Sequence, residues 1–213
     1  MTTRLLIARH GNTFTKEQTP TRVGARTDLP LTESERGINL GLYLKQVGFV
    51  PDVVFAAPLK RTLQTACLAL GAMQQKVPVQ IENTFTEIDY GPDENKTEEE
   101  VIARLGQEAL DQWNRLAIVP QGWLVDPKQI IENWKTFAQK IEKQYPDKTV
   151  LVVSSNGIIR FAPYLTGDFD SFSKQHDIKV GTGNVCVFEK NEKDSNWTCV
   201  SWNIKPKEHL QSA

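Results

Sequence analysis

The sequence predicts an α/β fold: a three-layer α/β/α sandwich with a mostly parallel central sheet and an antiparallel edge strand. Three observations carry this. Short apolar runs alternate with segments of helical length and periodicity. The runs at residues 5–8 and 150–153 are apolar without interruption, as expected of strands covered on both faces. The last two runs flank a short polar segment, as in a hairpin.

Taken in order, Leu5, Leu6, Ile7 and Ala8 make the first strand, and Arg9, His10 and Gly11 emerge at its C-terminal end. A loop rich in Thr, Pro and Gly runs to Pro30. Thr32 is the expected N-cap of a helix with apolar positions at Ile38, Leu40, Leu42, Leu44 and Val47, stopped by Gly48. Residues 52–57 read as the second strand. Pro58 then opens a helix carrying Leu59, Leu63, Ala66 and Leu70, closed by Gly71. Residues 77–81 read as the third strand, followed by the acidic group Glu87, Asp89, Asp93 and Glu94. Thr97 starts a helix whose first turn, Glu98, Glu99 and Glu100, suits the positive end of the helix dipole. Pro120 and Gly122 make residues 113–123 a loop, and a helix is expected over about 127–145. The strand at 150–153 stops at Ser154, Ser155, Asn156 and Gly157, before an apolar helix beginning near Ile158. Strands at 183–189 and 197–204 form the hairpin, and the tail after Pro206 is expected to be loosely held.

Composition narrows the class of function. The chain has 213 residues with 25 Lys and Arg against 26 Asp and Glu, a formal net charge of -1, so no polyanion-binding surface is indicated. One domain over residues 1–213 is expected, with neither nucleic acid nor membrane as partner. The apolar run near the start is too short to span a bilayer and lacks a small-residue cleavage site, which reads as cytoplasmic. Cys67, Cys186 and Cys199 are too few and too scattered for a disulfide framework and show no zinc spacing, so they read as small buried hydrophobes.

In sheets of this kind ligands bind at the carboxyl ends of the strands. That places Arg9, His10 and Gly11, residues 58–61, the Glu87 loop and residues 154–157 around one crevice. A neutral imidazole there has a lone pair for nucleophilic or base chemistry, and a guanidinium beside it suits an anion. His176 and His209 lie in polar or terminal stretches and read as surface side chains, and the tryptophans as core.

Arg9-His10-Gly11-Asn12-Thr13 resembles the phosphohistidine signature of the histidine phosphatase superfamily, the phosphoglycerate mutase-like proteins. Other segments follow in the same order. Gly24 with Asp28-Leu29-Pro30-Leu31-Thr32 is similar to the lead into the first helix, and Ala57-Pro58-Leu59-Lys60-Arg61-Thr62 to the second-arginine motif. Glu87-Ile88-Asp89-Tyr90-Gly91 resembles the acid/base segment, and residues 152–160 the late strand and helix start. The resemblance implies that His10 carries a transient phosphoryl group and that Arg9 and Arg61 bind it. It also implies that Glu87 is the general acid and base, with Asn12, Thr13, Ser155 and Asn156 as further phosphate contacts. No cofactor and no metal is called for, and the expected partner is a small phosphorylated substrate; oligomeric state is left open.

One departure stands out. Where the family usually has Ser-His-Gly-Gly, this chain has Ser154-Ser155-Asn156-Gly157, so Ser155 occupies the place of the second histidine. A hydroxyl donates one neutral hydrogen bond but supplies no positive charge. Losing one such donor typically costs about 10²–10³ in rate. The implied activity is a phosphatase, weakened by Ser155. The alternatives are a mutase, disfavoured because Gly91-Pro92-Asp93-Glu94-Asn95-Lys96 is short and acidic, and an impaired member that binds a phosphorylated ligand without turnover.

Overall fold

The computed structural model describes residues 2–211. Strands β1 (Thr2–Arg9), β2 (Val53–Ala56), β3 (Val79–Ile81), β4 (Thr149–Ser154), β5 (Val185–Asn191) and β6 (Thr198–Ile204) form one sheet in the order β3-β2-β4-β1-β5-β6. The first four in that order are parallel; β5 adds antiparallel to β1 and β6 antiparallel to β5, so the expected antiparallel edge is a hairpin of two strands.

Period-two alternation sorts the strand residues between two layers. Leu6, Ala8, Val54, Ala56, Leu151 and Val153 pack against Leu40 and Leu44 of α1 (Glu35–Gln46) and Ala66 and Ala69 of α2 (Lys60–Met73). Leu5, Ile7, Val53, Phe55, Val150 and Val152 face the other layer, whose main contributors are helices between residues 98 and 144. Leu151 is fully buried, and truncating such a residue to alanine costs about 2–5 kcal/mol because the cavity does not fully collapse.

Several helix limits differ from the sequence reading. Helix α1 is capped at Ser34, not Thr32, because the Thr32 hydroxyl donates to the carbonyls of Asn12 and Phe14 and pins the first loop. Helix α2 continues through Gly71 to Met73 and ends on Gln74 with φ 59°. Thr97 does cap α3 (Glu98–Leu105), in a reciprocal box with Glu100. Gly106, at φ 82° and ψ 155°, then interrupts the chain, a conformation open essentially to glycine. A second helix, α4 (Gln107–Leu116), follows, so residues 113–116 are helical where a loop was expected; Leu110 and Trp113 share its buried face. Asp126 caps α5 (Pro127–Gln144), whose Trp134 and Phe137 stack and edge-pack on Phe85.

The late segment is more broken than expected. A single turn, α6 (Asn156–Ile159), leads into a 3-10 turn at Ala162–Thr166 and then α7 (Phe169–Gln175). Over its described residues the tail is held rather than loose, its end at 212–213 lying outside them: α8 (Pro206–His209) lies on α1, with Lys207 paired to Glu35 at 2.6 Å and Gln46 donating to the His209 carbonyl. Cys186 is buried and Cys199 half-buried, but Cys67 is exposed on the outer side of α2, against expectation. His176 and His209 are exposed, and Trp113, Trp123, Trp134 and Trp197 are core. Among the described residues no helix is long and apolar enough to cross a membrane.

Candidate active site

The carboxyl ends of β1 and β4 lie side by side, Arg9 opposite Ser154, and the pairing carries one residue further through His10 N–H donating to the Ser154 carbonyl at 3.1 Å. His10 is buried and its Nδ1 lies 2.7 Å from the Gly11 carbonyl. A carbonyl only accepts, so Nδ1 carries the proton and Nε2 keeps its lone pair. The loop that follows is anchored to α2: Gly11 N–H donates to the Thr65 hydroxyl at 3.0 Å, and that hydroxyl donates to the Arg61 carbonyl at 2.7 Å. Asn12 is fixed at both ends, its N–H on Glu33 and its Oδ1 accepting from Thr182 at 2.7 Å.

Two guanidinium groups act on His10. Arg9 donates from Nη1 to the Val180 carbonyl at 2.6 Å. Arg61, wholly buried in the first turn of α2, donates from Nη1 to Thr27 at 2.7 Å and from Nη2 to the Val23 and Gly24 carbonyls at 3.3 Å. In both, Nε has no hydrogen-bond partner among the described residues, and the buried Ser155 hydroxyl also has none among them. Buried polar groups are rarely left this way, and such a group in a native fold calls for an explanation such as a ligand or water. Burial, with Arg9 and Arg61 adding to it, pulls the His10 imidazole well below its ordinary value, so it is neutral at pH 7.

Glu87 faces this group from the loop after β3. Its carboxylate accepts from the Ile88 N–H at 2.9 Å, from the Gly157 N–H at 3.4 Å and from the Tyr90 hydroxyl at 3.5 Å. Burial pushes its pKa above the usual carboxylate value, against the downward pull of Arg61, the two backbone N–H groups and Arg9. A neutral imidazole and a carboxyl held toward its protonated form therefore share one site.

Arg9, His10, Asn12, Thr13, Glu87 and Asn156 line a single cleft of 640 Å³. Arg61 and Ser155 are wholly buried and are not among the residues lining it. Asn156 is partly committed, its Oδ1 accepting from the Val180 N–H at 2.9 Å. The structure also brings in residues that the sequence reading did not select, among them Tyr90, Arg22, Arg160 and Thr182. Arg160 had a signal: a lone cation in the apolar run Ile158-Ile159-Arg160-Phe161-Ala162. Arg22 and Thr182 had none, because long-range contacts bring their loops to the cleft.

Residues 5–205 match the sequence profile of the histidine phosphatase superfamily (branch 1). A 2,3-bisphosphoglycerate-dependent phosphoglycerate mutase of Baumannia cicadellinicola is 28% identical over 169 residues, covering 78% of this chain and 69% of that protein. One from Bifidobacterium longum is 30% identical over 172 residues, covering 77% and 65%. The chain thus spans about two thirds of the length of these relatives. Among solved structures, a mycobacterial glucosyl-3-phosphoglycerate phosphatase superposes with a TM-score of 0.74 at 16% identity, covering 95% of this chain and 99% of that one. The α-ribazole phosphatase of Shigella flexneri gives 0.69 at 22%, covering 95% and 96%. These two likenesses speak for the fold. With the profile running from β1 into the residue before α8, through the strand ends that build the cleft, the chain belongs to the histidine phosphatase superfamily, branch 1.

Proposed function

We propose that residues 1–213 act as one histidine phosphatase-like domain that hydrolyses a small phosphomonoester through a phosphohistidine at His10. The observation that carries this reading is the neutral His10, its Nδ1 proton on Gly11 and its ring beside Arg9 and Arg61, at the wall of a cleft that also holds Glu87.

In the first step His10 Nε2 attacks phosphorus, the P–N bond forms and the P–O bond to the alcohol breaks. Glu87 gives its proton to the departing oxygen. In the second step water attacks phosphorus, Glu87 takes its proton and the P–N bond breaks, returning neutral His10 and inorganic phosphate. Charge on the transferring phosphoryl oxygens is met by Arg9 and Arg61, each of which has a buried Nε–H without a partner, with Asn12, Thr13, Ser155 and Asn156 as further contacts. Hydrolysis is preferred over mutase transfer because residues 91–96 are short and acidic.

Assays with an aryl phosphate test the reading. Wild type is expected to turn it over and His10→Ala to fall to background. No turnover by wild type leaves the binding-only alternative, for which Ser155 in the place of the second histidine is the motive; unchanged turnover in the variant removes His10 as nucleophile.

A further inference from the structure

All the hydrogen-bond acceptors that the buried Arg61 guanidinium has among the described residues are backbone carbonyls of one short segment: Val23, Gly24 and Thr27. The direction in which its fork points therefore depends on where residues 23–27 lie. A side chain from elsewhere in the sequence holds that segment. Glu94 Oε1 accepts from the Gly24 N–H at 3.1 Å, from the Arg26 N–H at 3.1 Å and from the Thr27 hydroxyl at 2.8 Å, a hydroxyl that also lies 3.2 Å from Asn95 Oδ1. Glu94 Oε2 accepts from the Tyr90 N–H at 3.3 Å.

Backbone N–H groups aimed at one point make a concavity that suits an anion, and charge-assisted hydrogen bonds are the stronger kind. Here the anion is the half-buried Glu94 carboxylate. The fit is close, since a Cβ on Gly24 would lie 2.2 Å from Glu94 Oε2 and 2.7 Å from the Ile88 carbonyl oxygen. Neighbouring bonds fix the ends of the segment: Arg22 N–H donates to the Lys96 carbonyl at 2.9 Å, Ala25 N–H to the Ile88 carbonyl at 2.9 Å, and Asp28 accepts from the Lys60 N–H at 2.7 Å where α2 begins. Glu94 is the one group that joins three donors within the segment to the turn of Tyr90, whose hydroxyl lies 3.5 Å from Glu87. It is not among the residues lining the cleft, so its route to the chemistry runs through Arg61.

We infer that Glu94 is a positioning residue for phosphoryl transfer: its carboxylate shapes residues 23–27 into the collar of carbonyls that aims Arg61 at the phosphoryl group. The inference rests on the hydrolase reading for what Arg61 does, and on the bonds above for how Arg61 is held.

The test follows Arg61 and turnover separately. In ¹⁵N-edited NMR spectra the buried Arg61 Nε–H, assigned by its loss in Arg61→Met, should give a protected resonance in wild type. In Glu94→Ala its exchange with solvent should speed up about tenfold or more, because the collar opens locally. The Nε–H of Arg160, bonded to the Asn156 carbonyl, serves as the internal control and should not change. On a nitrophenyl phosphate, kcat of Glu94→Ala should fall about 10²-fold, the size of a small misplacement of a transition-state group. Glu94→Gln should recover most of that loss, because its amide oxygen still accepts from Gly24, Arg26 and Thr27. Should Glu94→Ala fail to fold, Thr27→Val removes the shortest of the four bonds and should move Arg61 exchange and kcat in the same direction by less. Arg61 exchange unmoved in a folded variant, exchange of Arg61 and Arg160 rising together, or kcat unchanged while Arg61 loosens each overturns the inference. Loosening of Arg61 alone in a protein whose wild type turns nothing over sinks the hydrolase and keeps the link from Glu94 to Arg61; turnover in wild type with Arg61 unmoved sinks the link and keeps the hydrolase.

Discussion

A Cβ placed on Gly157 would lie 2.3 Å from Glu87 Oε1, closer than side chains ever stand. Glycine at this position, in the first turn of α6, therefore makes the room in which the Glu87 carboxyl reaches the cleft and accepts the Gly157 N–H. Gly157→Ala is expected to displace that carboxyl, at a cost in stability of about 1–3 kcal/mol for overpacking. It should slow alkyl esters, which need the acid, more than nitrophenyl esters, which leave without it. Steady-state kinetics on the two ester types and a melting curve check this; equal losses on both would mean that Glu87 had not moved.

The two titrating groups set the pH profile. His10 is depressed, so activity should show no limb from imidazole protonation at its ordinary value of about 6.5, only one further to the acid side. Glu87 is raised, and its protonated form is needed to release the alcohol, so kcat/KM on an alkyl ester should fall as pH rises through its elevated value. Glu87→Gln should lose that alkaline limb along with about 10²–10⁴ of the rate. An alkaline limb that persists unchanged in Glu87→Gln would contradict the assignment of Glu87 as the acid.

The same depression of His10 is a stability statement. Below the unfolded value of about 6.5 the unfolded chain binds a proton that the native chain does not, so this contribution is present above that pH and is lost on acidification toward the folded value. His10→Gln removes the linkage. Its melting temperature should gain on that of wild type between pH 7 and pH 5, and a gap constant over that range would show that His10 titrates normally.

Ser155 is predicted to be dispensable for folding. Its hydroxyl is buried without a partner, and an unsatisfied group of this kind costs about 1–3 kcal/mol. Ser155→Ala should therefore leave the melting temperature unchanged or raise it. Ser155→His should raise kcat on the order of 10²-fold by supplying the missing cation, while overpacking lowers stability by about 1–3 kcal/mol. A kcat that does not rise in a folded Ser155→His protein would show that the site is not short of a charge there.

Asp93 ties the turn after Tyr90 to α3. It is almost wholly buried and accepts from both Arg104 nitrogens and from Trp123 Nε1 at 2.6 Å. Burial works to raise its pKa, but the bonds from Arg104 and Trp123 outweigh it and hold the carboxyl below its usual value. Asp93→Ala takes the carboxylate from half-buried Arg104, which keeps only its bond to the Gln121 carbonyl, leaves the Trp123 N–H without its acceptor, and should cost about 3–5 kcal/mol, measured by urea unfolding. A cost under 1 kcal/mol would mean the network is solvated.

What the sequence revealed and what it hid follow from the range of the interactions involved. Arg9 and Ser154 were legible because each lies where an apolar run stops, a local signal, whereas Glu87 lies six residues beyond β3 and was reached only through its resemblance to the acid/base segment. Helix limits were less so. Gly71 read as a stop, yet it faces open space and the helix simply passes through it. Trp113 read as loop because Pro120 and Gly122 follow, although Leu110 and Trp113 already marked a buried helical face. Among site residues, the proposed nucleophile His10 and the arginines beside it came from motifs contiguous in sequence. Arg22 and Thr182 acquire their place only from folding, Arg22 over the rings of Tyr90 and Trp123, and Thr182 against Asn12, 170 positions away.

The central claim is covalent transfer to His10, and the most direct measurement is rapid quench into base of enzyme mixed with a ³²P-labelled aryl phosphate. The account predicts a transient label that is stable in base, lost in acid, mapped to the peptide containing His10 and missing from His10→Ala. Turnover that proceeds at full rate with no label on His10 would contradict it.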